Sequence, residues 1–204
     1  MRTETITYNI YTYDELSDSA KQNVKDWYLN DPDRVYMFQD DIMENIESLF
    51  GKGHNMKVQF SLAYCQGDGL NIYGSVSADE IVNFLKNNKW FENPLNDEEM
   101  EIILFYGDDT NGIELPNNRY SYFCMAEYID FVDEWADQLE YYEVKNIDIE
   151  LIKKFNDVVV DIFKKLCKMY EKWGYEYFYE ISEEELRDMC EANEWEFYEN
   201  GTIY

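Results

Sequence analysis

Bases, histidine, proline and long apolar runs are all scarce in this chain of 204 residues. Seventeen Lys and Arg stand against 44 Asp and Glu, with one His, for a net charge of −27. A field of that sign repels nucleic acid and anionic membrane faces, so direct binding to either is not expected. No run of about 18 apolar residues occurs, which excludes a membrane-spanning helix. The opening MRTETITYNI lacks the apolar region of a secretory signal. The expected location is therefore the cytoplasm, with reduced thiols. Cys65, Cys124, Cys167 and Cys190 are far apart, no CxxC pair exists, and His54 stands alone. That pattern matches no zinc signature, and neither a metal nor a cofactor is expected. Three Pro and nine Gly are too few for a linker-rich or disordered chain.

What is abundant points to a folded core under an acidic surface. Hydrophobic residues make up 46% of the chain, with 19 Tyr and 12 Phe, enough for a core without disulfide or metal staples. The acids are spread evenly. Residues 1–126 hold 22 acids and 9 bases, and residues 127–204 hold 22 and 8. They alternate with aromatics and aliphatics, as on an ordered surface and unlike an acidic tail. Such a surface attracts basic proteins, of which nucleic-acid-binding proteins are the commonest. The plainer use of the charge is solubility or tolerance of salt.

The periodicities predict an α+β fold: antiparallel β-hairpins packed with five or six helices. Residues 3–13 read as a strand. Ser17 caps a helix carrying Ala20, Val24, Trp27 and Tyr28 on one face. A second helix runs from about Val35 to Phe50. Met56, Val58, Phe60, Leu62 and Tyr64 alternate as the first arm of a hairpin that turns at Gln66-Gly67-Asp68-Gly69 and returns through Leu70, Ile72 and Val76. Ser77 with Glu80, and Ser182 with Glu185, form capping boxes that each open a helix. Residues 97–106 read as a short helix or a strand. A second hairpin is expected over 112–115 and 119–129, turning at Pro116-Asn117-Asn118. The strongest helical stripe spans 148–173, through Ile152, Phe155, Val159, Ile162, Leu166, Met169 and Trp173, with Gly174 as its stop. The stripe spans under four heptads, which favours a buried face over the seam of a homodimer. One acidic domain over 1–204 is the simplest organisation; the alternative boundary lies near 130–146.

Three segments offer chemistry. In the 66–69 turn, glycines allow close backbone approach and Asp68, with Gln66, could serve a ligand; a turn requiring positive φ twice is the preferred reading. Cys65 lacks a base, because an extended strand would hold His54 about 35 Å away. Acid pairs such as Asp40-Asp41 and Asp108-Asp109 carry little information among 44 acids, and Asp108-Asp109-Thr110-Asn111-Gly112 lacks the spacing of a calcium loop. More telling is Tyr interleaved with acid, in Glu140-Tyr141-Tyr142-Glu143 and again from Tyr175 to Glu180. Tyr supplies contact area with a polar tip, and neighbouring carboxylates pair with Arg and Lys. Residues 130–150 hold eight acids and one base. The expected partner-binding residues are therefore Asp130, Asp133, Glu134, Asp137, Glu140, Tyr141, Tyr142 and Glu143. The plainer reading places the tyrosines at the margin of a core.

Tyr11-Thr12-Tyr13-Asp14-Glu15-Leu16-Ser17-Asp18-Ser19-Ala20-Lys21, then Val58 to Gly69 with Tyr73-Gly74, and Glu191-Ala192-Asn193-Glu194-Trp195-Glu196-Phe197 with Gly201 follow one another in order. This order resembles a family of small phage and prophage proteins often labelled antitoxin-like, with an ELSxxAK helix start, an FSxxxxQGDG hairpin and a C-terminal EANExxF segment. The match covers about a third of the chain. It implies a phage origin and a host-cell cytoplasmic location, and brings no catalytic residues with it. Charge and resemblance together lead to the expectation of a non-enzymatic inhibitor. Its partner would be a basic host defence effector such as a CRISPR nuclease, and it would imitate nucleic acid on that surface. An antitoxin-like binder of a toxin is one alternative. A carboxylate-dependent metalloenzyme acting on nucleic acid is the other.

Overall fold

Alternation in residues 55–76 does build a hairpin. In the computed structural model, which describes residues 1–4, 7–118 and 122–204, β1 (Asn55–Ser61) and β2 (Gly69–Val76) pair antiparallel with Val58 opposite Ile72 and Phe60 opposite Leu70. β3 (Ile113–Leu115) joins the other edge of β2, with Val76 opposite Ile113. β2 is thus central, and Leu70, Asn71 and Ile72 are all buried. Gly74 has a φ of 118°, and a Cβ there would collide with the Asn55 carbonyl, so only glycine fits. The strands stop at Ser61 and resume at Gly69, which makes the connection longer than a four-residue turn. Tyr64 leaves the apolar face and is exposed with positive φ.

The helices, in sequence order, are α1 (Asp18–Leu29), α2 (Asp33–Phe50), α3 (Ala78–Asn87), α4 (Asp97–Asp108), α5 (Val132–Tyr141), α6 (Ile149–Tyr179) and α7 (Glu183–Ala192). The fold is α+β. Capping boxes open α3 at Ser77 and Glu80, α4 at Asn96 and Glu99, and α7 at Ser182 and Glu185. The pair Ile102-Ile103, ambiguous by pattern, is helical because the Asn96 box nucleates the turn before it. Where α3 meets α4, Gly107 faces the Ala78 methyl so closely that a Cβ would not fit. Among the described residues, no helix is long and apolar enough to cross a membrane.

Two strand expectations fail for one reason, the lack of a neighbouring strand among the described residues. Residues 3–13 form no strand among their described positions; Tyr11 makes a single bridge to Phe197, and Tyr13–Glu15 turn as a 3₁₀ helix. Residues 5–6 of that segment lie outside the described residues. Among the described residues no return strand follows β3 either. Residues 119–121 lie outside the described residues, while 122–129 hold only a 3₁₀ turn at Ala126–Tyr128. Side chains replace the missing ladder. Asn71 Nδ2 donates to the Pro116 carbonyl at 2.9 Å, and its Oδ1 accepts from Met125 N at 2.9 Å. Further along, Asn156 on α6 donates to the Ile129 carbonyl and accepts from Phe131 N, both at 3.3 Å. Gly174 does not stop α6; it is buried inside a helix that continues to Tyr179.

The chain clusters into two compact units, residues 1–38 with 175–204, and residues 39–174. The 130–146 stretch lies inside the second. In the first unit, Tyr13, Leu16, Ala20, Val24, Leu186, Cys190 and Phe197 form the core. Buried Arg34 lies between the rings of Tyr28 (4.3 Å) and Tyr177 (4.2 Å) and donates Nη2 to the Tyr177 carbonyl. In the second unit, Phe50 stacks on Phe84 and Phe163, and Phe131, Trp135 and Phe155 cluster beside α6. The α6 stripe is buried from Ile152 to Leu166, as a core face, and opens at Met169, with Trp173 half-buried.

Replacing Asn71 by Ala leaves the Pro116 carbonyl and the Met125 amide without their side-chain partner inside the fold. Denaturant unfolding should show a loss of about 2–4 kcal/mol, whereas Asn93→Ala, which removes a bond to Leu95 N in a half-buried loop, should cost about 1 kcal/mol.

Candidate functional site

The acid-rich stretch 130–143 is built by one amphipathic helix. Phe131, Trp135 and Leu139 turn inward and are buried, which forces the residues between them outward. All eight expected partner residues, Asp130, Asp133, Glu134, Asp137, Glu140, Tyr141, Tyr142 and Glu143, are exposed. Tyr141 is 81% and Tyr142 58% accessible, so neither sits at the margin of a core. Their rings meet edge to face at 5.2 Å. Among the described residues none of the six acids forms an ion pair: Asp130 Oδ1 caps Val132 N, and Glu134 accepts from Gln138.

Three of the eight converge on a groove. Asp137, Tyr141 and Tyr142, with Gln138, line a concavity of about 460 Å³ together with Asp108, Asp109, Thr110 and Asn111 from the end of α4. Gln138 Oε1 accepts from Asn111 N at 2.8 Å and clips the two walls together. Asp130, Asp133, Glu134, Glu140 and Glu143 lie outside the lining, along the same exposed stretch. Asp108 and Asp109 were legible only as an acid pair. Their placement beside Asp137 is a tertiary contact with no periodic signal. Among the described residues, no three His, Cys, Asp or Glu side chains are arranged to hold a metal ion.

The end of α5 is unusual in its chemistry. Glu143 takes the left-handed conformation, with φ of 59°, and Val144 N returns to the Leu139 carbonyl at 3.0 Å. This helix stop ordinarily uses glycine. α7 ends the same way, with Glu194 at φ 53° and Trp195 N on the Cys190 carbonyl at 2.9 Å. A carboxylate at a helix C-terminus also opposes the helix dipole.

The hairpin loop has a different role. Asp68 Oδ2 accepts from Ala63 N (2.7 Å) and Cys65 N (2.8 Å), while Oδ1 accepts from Ser61 Oγ (2.9 Å) and Cys65 Sγ (3.1 Å). The donors from Cys65, Ser61 and Ala63 hold the Asp68 carboxyl far below the usual carboxylate range. Asp68 is thereby committed to closing its own loop, and Gln66 is exposed at its tip. Cys65 donates to that carboxylate, which pushes its thiol up and away from nucleophilic use. The second Tyr–acid stretch is structural as well. Tyr177 flanks Arg34, and Phe178 packs edge-on against Phe38 at 5.1 Å.

No protein-family model, curated protein or solved structure matches the chain.

Two variants separate charge from fold here. Asp133→Asn, Asp137→Asn and Glu140→Gln together remove like charges that hold no ion pair, so the melting temperature should hold or rise, and its increase with added salt should shrink. Glu143→Gly relieves the left-handed backbone and should add about 1 kcal/mol in chemical denaturation.

Proposed function

We propose that this chain is a phage-encoded inhibitor that occupies the basic nucleic-acid-binding surface of a host defence nuclease, in the manner of an anti-CRISPR protein that blocks nucleic acid loading. The observation that carries this reading is the α5 face: six exposed acids that form no ion pair among the described residues, next to two exposed tyrosines. Exposed carboxylates outside any ion pair remain available to Arg and Lys of a partner. The tyrosine rings supply contact area that a purely electrostatic surface lacks. The phage origin rests on the family resemblance at both ends of the chain and in the first hairpin. The net charge of −27 makes a basic protein the natural partner and nucleic acid a poor one.

The test uses purified CRISPR nucleases with labelled guide RNA and target DNA. Equimolar protein should prevent nucleic acid binding by the susceptible nuclease. Raising salt from about 0.1 to 0.5 M should weaken the complex by roughly tenfold or more. The Asp133, Asp137 and Glu140 amide variant should lose inhibition while remaining folded. Inhibition that turns over at substoichiometric amounts, or no association with any of these nucleases at low salt, overturns the reading. Association only with a small toxin encoded beside this chain would assign it to the antitoxin class instead.

A further inference from the structure

We propose that Asn111 is a self-modifying site: its side-chain amide cyclises onto the Gly112 nitrogen and reopens as aspartate or isoaspartate, adding a carboxylate to the groove between α4 and α5. The chain holds two Asn-Gly pairs, Asn111-Gly112 and Asn200-Gly201. A glycine after asparagine has no Cβ to hinder its nitrogen, which can then reach the side-chain carbonyl carbon. The fold treats the two pairs differently.

Asn111 and Gly112 are both exposed, between the end of α4 and the start of β3. Among the described residues the Asn111 side chain makes no hydrogen bond, while its backbone N–H is held by Gln138 Oε1 at 2.8 Å. Gly112 stands one position ahead of Ile113, the first residue paired with β2. The electrophile is therefore unshielded, and the nucleophile precedes the paired positions. Asn200-Gly201 is locked. Thr202 N donates to Asn200 Oδ1 at 3.0 Å, Asn23 Nδ2 donates to the Asn200 carbonyl at 2.9 Å, and Gly201 N donates to the Tyr198 carbonyl at 2.8 Å. Gly201 is buried, and a Cβ there would collide with the Ala20 carbonyl, which leaves little room for the ring-closing rotation. Acids stand beside both pairs, Asp109 before Asn111 and Glu199 before Asn200, so the local field does not separate them. Asp68-Gly69 offers the same ring, but Ser61, Ala63 and Cys65 occupy the Asp68 carboxylate and Gly69 is buried.

The reaction needs only water. Gly112 N gives up its proton and attacks Asn111 Cγ. A C–N bond forms, the Cγ–Nδ2 bond breaks, and ammonia leaves with the proton that water has carried. Water then opens the succinimide. Cleavage at Cγ gives aspartate, and cleavage at the main-chain carbonyl carbon gives isoaspartate. One water is taken up and one ammonia released, with nothing oxidised or reduced. Either product adds a carboxylate to the groove that already holds Asp108, Asp109 and Asp137. The isoaspartyl form also lengthens the backbone by a methylene just ahead of the Ile113–Val76 pair.

The test ages the intact chain in warm, mildly alkaline heavy-oxygen water, then digests it and maps the peptides by mass spectrometry. Isoaspartate is identified by methyl transfer from an isoaspartyl methyltransferase. The Asn111 peptide should exchange its amide nitrogen for one heavy oxygen and become mostly isoaspartate. Asn200 should react roughly tenfold or more slowly, because its ring closure first breaks the bonds from Thr202 N and Gly201 N. In denaturant the two sites should react at similar rates, which would assign the difference to the fold. Asn111→Gln should abolish the product at that position and leave Asn200 as it was. An Asn111 amide that persists in the folded chain would overturn the proposal. So would an Asn200 that reacts as fast as Asn111 in the folded chain, or a difference between them that survives unchanged in denaturant.

Discussion

Two asparagines do the work of a missing strand. Among the described residues between β3 and α5 no strand ladder satisfies the amides and carbonyls, and Pro116 offers no N–H at all. Asn71, buried in the central strand, meets this shortage from the sheet side, and Asn156 meets it from α6. An amide side chain presents one donor and one acceptor, which is what a neighbouring strand residue would present. The consequence reaches further than the loop. Asn71 holds the loop at Met125, and Asn156 holds the backbone where α5 begins. The outward face of α5 inherits its position from that start.

The contrast between the two Tyr–acid stretches turns on burial rather than composition. In the stretch from Tyr175 to Glu180, Tyr177 closes with Tyr28 on Arg34, a buried cation whose Nη2 finds a backbone carbonyl and whose charge finds two π faces. Desolvating that guanidinium is tolerable because the quadrupoles of Tyr28 and Tyr177 stand in for water. Tyr141 and Tyr142 meet only each other edge to face among the described rings and cations, and they stay in solvent. The same residue types are a core device in one place and an open surface in the other.

Local order was written plainly in the chain. The S-x-x-E boxes at Ser77 and Ser182, the alternation from Met56 to Leu62 and the three-four stripe through Ile152 and Leu166 each encode a local geometry, and each holds. Expectations failed where the outcome depended on a distant partner. The Thr- and Tyr-rich start has strand propensity but meets only Phe197, and residues 122–129 meet asparagine side chains instead of a strand. Gly174 reads as a stop by propensity, yet its burial within α6 overrides a cost of about 1 kcal/mol. At the candidate site, the acids and tyrosines of 130–143 were visible as composition. The groove they share with Asp108 and Asp109 was not, because Gln138 joins α4 to α5 across 27 residues of sequence.

The helix stop at Glu143 has a consequence for how the sequence can change. Any substitution to glycine there makes the helix end more comfortable, so stability alone gives this carboxylate no reason to persist. The position is a thermodynamic downhill step left untaken, and its twin at Glu194 is another. Drift under selection for folding alone would erode both first, which makes these two residues natural reporters of whether the acidic surface is kept for something outside the molecule.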